Sequence, residues 1–500
     1  MKTKIQNLIR CARYALLLAT LNPQLSTFAQ GSLTPPGAPA PTMKSLTQVE
    51  PRTPISSAPY TISSPGSYYL ATNLTVSSGS AITVATNDVT VDLGGFTVKS
   101  TAAGATGYGI LINSGLRNLA IVNGFIEGGV TNNGSGVYTG SGFAYGISYS
   151  ATAPVNVRVS AVSVSGCLNH GINLFQNATV VQSCTVQTVG SYGIVADAVS
   201  DSTARDCGQT AISANTANHC SGESQGGVGV SARTADNCYG SSASSYGVWG
   251  STANDCVGFS AGSSVGLYAD YAANNCYGYS TNSTGLSTHT ATGCYGYSVN
   301  NTGVDAYTAS GCYGQSGSGS GIWAYCAHNC YGQSSSGYGL RADYSVENCY
   351  GHSGTNAGLY ANYAALNCYG WSDGSGYGLF ANVTALNCYG RSGSGVGLWT
   401  STAQNCYGSG ADTGLYAYNT AQNCYGYGSS TGLHAQTALN CQGQADGSSP
   451  TVVAVNAYMA NSCYGYSFYG TGVKATYGNF CFGTTITGTA VSVTYKYNMP

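Results

Sequence analysis

Fourteen cysteines between Cys238 and Cys481 recur at intervals of 17 to 22 residues, most often 18, and eleven of them open the tripeptide Cys-Tyr-Gly. A fixed period of this size restricts the chain to a solenoid, in which each repeat is one coil that buries its apolar side only by stacking on its neighbours. The usual expectation that 500 residues divide into several domains then lapses, because the core of a solenoid lengthens with every coil.

Aligned on cysteine, one unit reads Ala-x-Asn-Cys-Tyr-Gly-x-Ser, a variable Gly/Ser turn, then Gly-Leu-x-Ala-x. Strand side chains alternate between faces, so cysteine points inward and the following tyrosine outward. On the second strand Leu267, Leu286, Val304, Ile322, Leu340, Leu359, Leu379, Leu398 and Leu415 point inward, with alanine usually inward two residues later. Glycine follows all fourteen cysteines by two residues, which implies either a positive φ or a corner too crowded for a Cβ. Asparagine precedes nine of the fourteen, and stacked asparagines are expected to hydrogen-bond along a solenoid corner.

Upstream of the repeats the texture changes three times. Lys2, Lys4, Arg10 and Arg13 precede an apolar run from Tyr14, and Thr27-Phe28-Ala29 fits a cleavage site, so residues 1–29 read as a signal peptide. Residues 30–58, with Pro35, Pro36, Pro39, Pro41, Pro51 and Pro54, read as an extended linker. Residues 59–225 hold short β-rich runs separated by Gly, Ser and Asn, the pattern of less regular coils, and 226–484 hold the regular repeats. Residues 485–500 end in a run expected to close the solenoid as a last strand. No stretch after the signal approaches the roughly 20 apolar residues of a membrane span. A secreted or cell-surface location is expected.

The runs Gly66-Ser67-Tyr68-Tyr69-Leu70, Val91-Asp92-Leu93-Gly94-Gly95-Phe96-Thr97-Val98 and Leu119-Ala120-Ile121-Val122-Asn123-Gly124-Phe125-Ile126 resemble the opening coils of right-handed parallel β-helix proteins. These form the pectin-lyase-like superfamily, with many uncharacterised secreted bacterial members. The resemblance covers residues 60 to 200 directly and the later repeats by architecture. It implies an all-β fold, a right-handed parallel β-helix solenoid with about 18–20 residues per coil. Handedness rules for parallel crossovers favour the same hand. The fold leaves activity open. Lyases of this superfamily group several aspartates around calcium with a basic residue nearby. Here Arg341 beside Asp343, with Asp305 below, is the nearest approximation, and it lacks the carboxylate cluster that a hard cation requires.

Charged residues make up 6% of the chain and the formal net charge is −2, which leaves no basic footprint for a nucleic-acid partner. No sequence motif calls for a cofactor or a metal. Export makes the cysteines a puzzle, since removal of Cys11 leaves nineteen where disulfides usually form. Three readings compete. Buried packing is favoured, because free cysteine is among the most buried side chains. Disulfides between adjacent coils are a second, although each sulfur has only one partner. Soft-metal binding is the third, and a linear column supplies poor convergence for it. Cys326, with His328 beside it, falls outside the column.

The outward position after the inward leucine carries Trp249, Tyr268, Ser287, Asp305, Trp323, Arg341, Tyr360, Phe380, Trp399, Tyr416 and His434. An exposed aromatic ridge of this kind is a candidate platform for sugar rings. Its candidate ligand-binding residues are Trp249, Tyr268, Asp305, Trp323, Arg341, Tyr360, Trp399 and Tyr416. The plainer reading is that outward aromatics stabilise the sheet through cross-strand pairs. Two residues further on, the same face is expected to carry Asp270, His289, Tyr307, Tyr325, Asp343, Asn362 and Asn382. Asp270 and Asp305 come out about 12 Å apart from strand geometry, too wide for a glycosidase pair. The sequence therefore points to a non-catalytic surface or matrix protein whose partner is a polysaccharide or cell-surface glycan. The alternative is a polysaccharide lyase or glycoside hydrolase with its site in the irregular N-terminal coils, among Asp92, Glu127, Asp197, Asp201 and Asp206.

Overall fold

A computed structural model of the chain describes residues 50–498; the expected signal peptide and most of the linker lie outside the described residues. From Thr53 to Tyr497 the chain winds as an all-β parallel solenoid, with 47 strands joined in one continuous hydrogen-bonded ladder. Among the described residues there is no helix, and hence none long and apolar enough to cross a membrane.

The solenoid starts inside the segment read as linker, since Thr53–Ile55 pairs in parallel with Gly66–Leu70. Early coils differ in length: Tyr60 pairs with Ile82, and Ile82 with Ile110. The step settles at 18 residues where Ile194 pairs with Ile212 and Ile212 with Val230. Regular coiling thus begins ahead of the first Cys-Tyr-Gly. The strand Thr203–Cys207 occupies the place of a Cys-Tyr-Gly strand with Thr203 and Ala204 where later coils have Tyr and Gly. At the other end Thr489–Tyr497 pairs in register with Thr471–Asn479 and adds one more rung. Its residues are largely exposed.

Inside the regular coils the faces alternate as their sequence requires. Leu340, Leu359, Leu379, Leu398 and Leu415 are fully buried, as are Ala342, Ala361 and Ala381. The glycine after each Cys-Tyr lies on the inner face at a negative φ, so crowding is its reason. A Cβ on Gly240 would sit 2.0 Å from the carbonyl oxygen of Gly247, where the two strands of a coil approach each other.

The left-handed turn falls instead on the asparagine. All nine pre-cysteine asparagines, Asn237 through Asn440, have φ between 50° and 53°. Asparagine tolerates this region better than most residues that carry a Cβ. Part of the column also forms the expected ladder: each amide donates to the Oδ1 of the preceding coil, from Asn423 through Asn405, Asn387 and Asn367 to Asn348, at 3.0–3.2 Å.

This turn explains the cysteine. Around it the main-chain ladder continues, with Asn237 N–H donating to Asn254 O and Tyr239 N–H to Cys220 O. The Cys238 N–H between them points inward, and a buried amide requires an acceptor. Sγ of Cys256 in the next coil accepts it at 3.4 Å. The Cys256 thiol in turn lies within donating reach of Asn254 O (3.1 Å) and Ala235 O (3.3 Å). The same amide-to-sulfur contact recurs at Cys312–Cys330, Cys330–Cys349 and Cys406–Cys424. In one coil Ser202 takes the cysteine position, accepts from Cys184 N–H at 3.1 Å and donates to Ser200 O at 2.7 Å. The column is therefore a hydrogen-bonding device as well as packing.

All nineteen described cysteines are free thiols, and all but Cys326 are buried. Burial disfavours the thiolate, pushing Cys167 up to about 12 and Cys184 up to about 11. Above pH 9 the unfolded chain then releases protons that the native state retains. The contribution of Cys167 and Cys184 to stability should be full below pH 9 and fall as pH rises, by about 1.4 kcal/mol per thiol per pH unit until the native pKa of each is reached. Urea unfolding at pH 8 and pH 10 measures this. A native thiol titration with an aromatic disulfide reagent should count one group in the described region, Cys326. Cys256→Ser should be about 1 kcal/mol more stable than Cys256→Ala, because only serine keeps the acceptor; the reverse order would mean that packing alone decides.

Candidate functional site

The eight candidate residues fall on a single outward column. Register runs from Ser231 to Trp249, Tyr268, Ser287, Asp305, Trp323, Arg341 and Tyr360, and on through Phe380, Trp399, Tyr416 and His434. Successive coils lie about 4.8 Å apart. At that spacing, flat rings in one column pack face to face.

This packing closes most of the ridge as a sugar platform. Tyr360 and Phe380 stack at 4.8 Å with 1° between their planes, Phe380 and Trp399 at 4.5 Å, and Tyr416 and His434 at 4.7 Å. Trp399 and Tyr416 are parallel at 6.2 Å. The Arg341 guanidinium lies 4.9 Å from the centre of Trp323 and 6.0 Å from that of Tyr360, joining the tryptophan to the same stack. Solvent therefore meets ring edges over Tyr360, Trp399 and Tyr416, whereas a sugar stacks on a ring face. The tyrosines after cysteine behave alike: nine rings from Tyr277 to Tyr425 stack at 4.7–5.1 Å.

Two tryptophan faces escape this closure. Trp249 follows Ser231 in register, and among the described residues no ring stacks on it. It is 42% exposed and walls a cleft of about 280 Å³. Trp323 turns its second face toward Asp305. Tyr268 leans on Tyr246 at 5.8 Å, and its hydroxyl is held protonated by burial, by the charge of Asp270 and by a hydrogen bond to it.

The charged residues of the ridge largely satisfy one another. Asp343 accepts from Trp323 Nε1 at 2.9 Å and from Arg341 Nε at 3.2 Å. It leaves the column in which it was expected, because an extra residue shifts the register after Ala342. Tyr344 takes the place and stacks on Tyr325 at 5.4 Å, extending a row from His289 through Tyr307 to Tyr363. The Asp305 carboxyl is raised, first by burial and then by the charge of Asp343.

The acidic residues of the early coils do not converge. Asp92 pairs with Arg52 at 2.9 Å and Glu127 with Lys99 at 2.9 Å, while Asp197 accepts from Asn215 at 2.6 Å. Asp206 accepts from Asn132 (2.6 Å), Tyr138 (2.8 Å) and Thr188 (2.9 Å), and so pins the inserted hairpin Gly129–Asn132/Tyr138–Ser141 to the solenoid. Among the described residues no group of three or more His, Cys, Asp or Glu is placed to hold a metal.

No known protein family matches the chain, and neither a curated protein nor a solved structure does so.

The stacking geometry separates two tryptophans that the sequence treats alike. Trp399 lies between Phe380 and Tyr416, so Trp399→Ala should cost about 1–3 kcal/mol in lost ring contacts, and Trp249→Ala clearly less. Denaturant unfolding of the two variants checks this order.

Proposed function

We propose that the protein is a secreted β-helix surface or matrix protein that binds glycans without transforming them, using the ring faces its ridge leaves uncovered. The observation that carries this reading is Trp249, a half-exposed indole whose face opens onto a cleft beside the small side chain of Ser231. Such a face suits the apolar C–H side of a pyranose, and clefts with a few convergent polar groups are the usual form of small-ligand sites. Separate pairing of the acidic side chains in the early coils favours binding over catalysis. The signal-like N-terminus motivates export to the cell surface or medium. Parallel coiling and the opening sequence runs motivate a right-handed hand and a distant relation to the pectin-lyase-like superfamily.

A glycan array probed with the mature protein tests the reading. Trp249→Ala should reduce binding most, Trp323→Ala less, and Trp399→Ala least once its stability is matched by temperature. Equal binding by all three variants and the parent would overturn the ridge as the site. New reducing ends or unsaturated products on incubation with plant and algal polysaccharides would overturn the non-catalytic reading.

A further inference from the structure

The Trp249 cleft is built from more than the repeat. Its wall opposite Trp249 is Gln176, which belongs to an insertion in the strand Ile172–Gln182. Register jumps there from Phe175, opposite Ala196, to Val180, opposite Ala198. The insertion is pinned at its base: the buried Thr179 hydroxyl donates to Phe175 O and accepts from Asp197 N–H at 2.9 Å. Phe175 and Ala178 turn the loop through positive φ values of 59° and 52°. Between the coil that bears the loop and the indole, the ridge column carries Val195, Ser213 and Ser231, and of these only the two serines line the cleft. A large outward residue at either position would fill the space.

The polar groups around this space are uncommitted. Gln176, Ser213, Ser231 and Arg233 line the cleft, and among the described residues none of their four side chains has a hydrogen-bonding or ionic partner. The Asp270 carboxylate completes the lining; it accepts from the Tyr268 hydroxyl and, at 3.4 Å, from Ser251, which leaves it further acceptor capacity toward the cleft. One cation faces one anion, so the cleft carries no net charge. Its volume, about 280 Å³, is at the small end of ligand clefts, and walls at both ends along the solenoid axis stop a polymer from running through.

We infer that this cleft holds a single terminal, uncharged hexopyranose of a glycan chain, stacked on Trp249 and hydrogen-bonded by Gln176, Arg233 and Asp270. The inference rests on the glycan-binding reading and narrows it: recognition is of a chain end, not of a stretch laid along the ridge. The fixed donors of Arg233 and Gln176 and the acceptor of Asp270 match sugar hydroxyls, which both donate and accept. A uronate would bring a second negative charge beside Asp270, uncompensated once Arg233 is paired.

Two measurements on the full mature protein separate this inference from the reading beneath it. Saturation-transfer NMR with methyl glucoside, methyl galactoside, methyl mannoside and sodium galacturonate should give transfer to at least one neutral glycoside and none to galacturonate. Ser231→Trp places an indole in register against Trp249, which extends the ridge stack while filling the cleft. It should abolish the NMR signal and weaken array binding at least about tenfold, the equivalent of one lost stacking contact. Arg233→Ala, on an exposed side chain, should weaken the same signal without affecting folding. Array binding that is unchanged in Ser231→Trp but lost in Trp323→Ala would sink the cleft and leave the glycan reading standing. Galacturonate transfer alone would overturn the neutral-sugar assignment. A parent protein that binds nothing on the array and gives no transfer would overturn both.

Discussion

Parallel, in-register stacking at about 4.8 Å governs nearly everything else in this molecule. Every residue of a regular coil lies directly above its counterpart, so any side-chain type chosen at one position becomes a column. Columns of asparagine amides form ladders, columns of phenols form stacks, and columns of leucine and alanine form the core. A column of like charges would repel at every rung. This accounts for a chain of 500 residues with only 6% charged side chains. Two of the charges on this face, Arg341 and Asp343, are paired within one coil.

The corner of each coil shows how a backbone requirement selects a side chain. The left-handed asparagine turns the chain, and the turn directs the next amide inward, away from the main-chain ladder. A small side chain with an acceptor solves this, and cysteine adds the apolar bulk that serine lacks. Ser202 shows that oxygen can take the place in a single coil. The buried thiols of the described column then need no disulfide partners, since main-chain groups of their own coil, and in many cases of an adjacent one, engage them.

Periodicity and function pull in opposite directions. The same spacing that stabilises a row of rings hides their faces, and a ridge of perfect repeats would offer a ligand only edges. An accessible face requires an interruption: a serine before a tryptophan, a carboxylate below one, or an inserted loop. The Trp249 cleft combines two of these, Ser231 in the column and the Phe175–Thr179 loop beyond it. The site proposed for this protein is therefore a defect in its own repeat.

Much of this was legible in the chain. Strand alternation, the inward cysteine and leucine columns, the outward ridge and the asparagine ladder follow from the period and from two-residue alternation, because in a solenoid sequence spacing is spatial spacing. Three things did not follow. The choice between positive φ and crowding at the glycine after Cys-Tyr depended on how closely the two strands of a coil approach, which no single coil encodes. The displacement of Asp343 by Tyr344 depended on a one-residue bulge inside a strand of otherwise normal composition. Above all, ring orientation was invisible: the sequence determined that aromatic residues share a column, and only the stacking of the coils decided that they cover one another's faces and leave Trp249 open. Composition sets which groups recur; the 4.8 Å contact between coils sets which of their surfaces remain free.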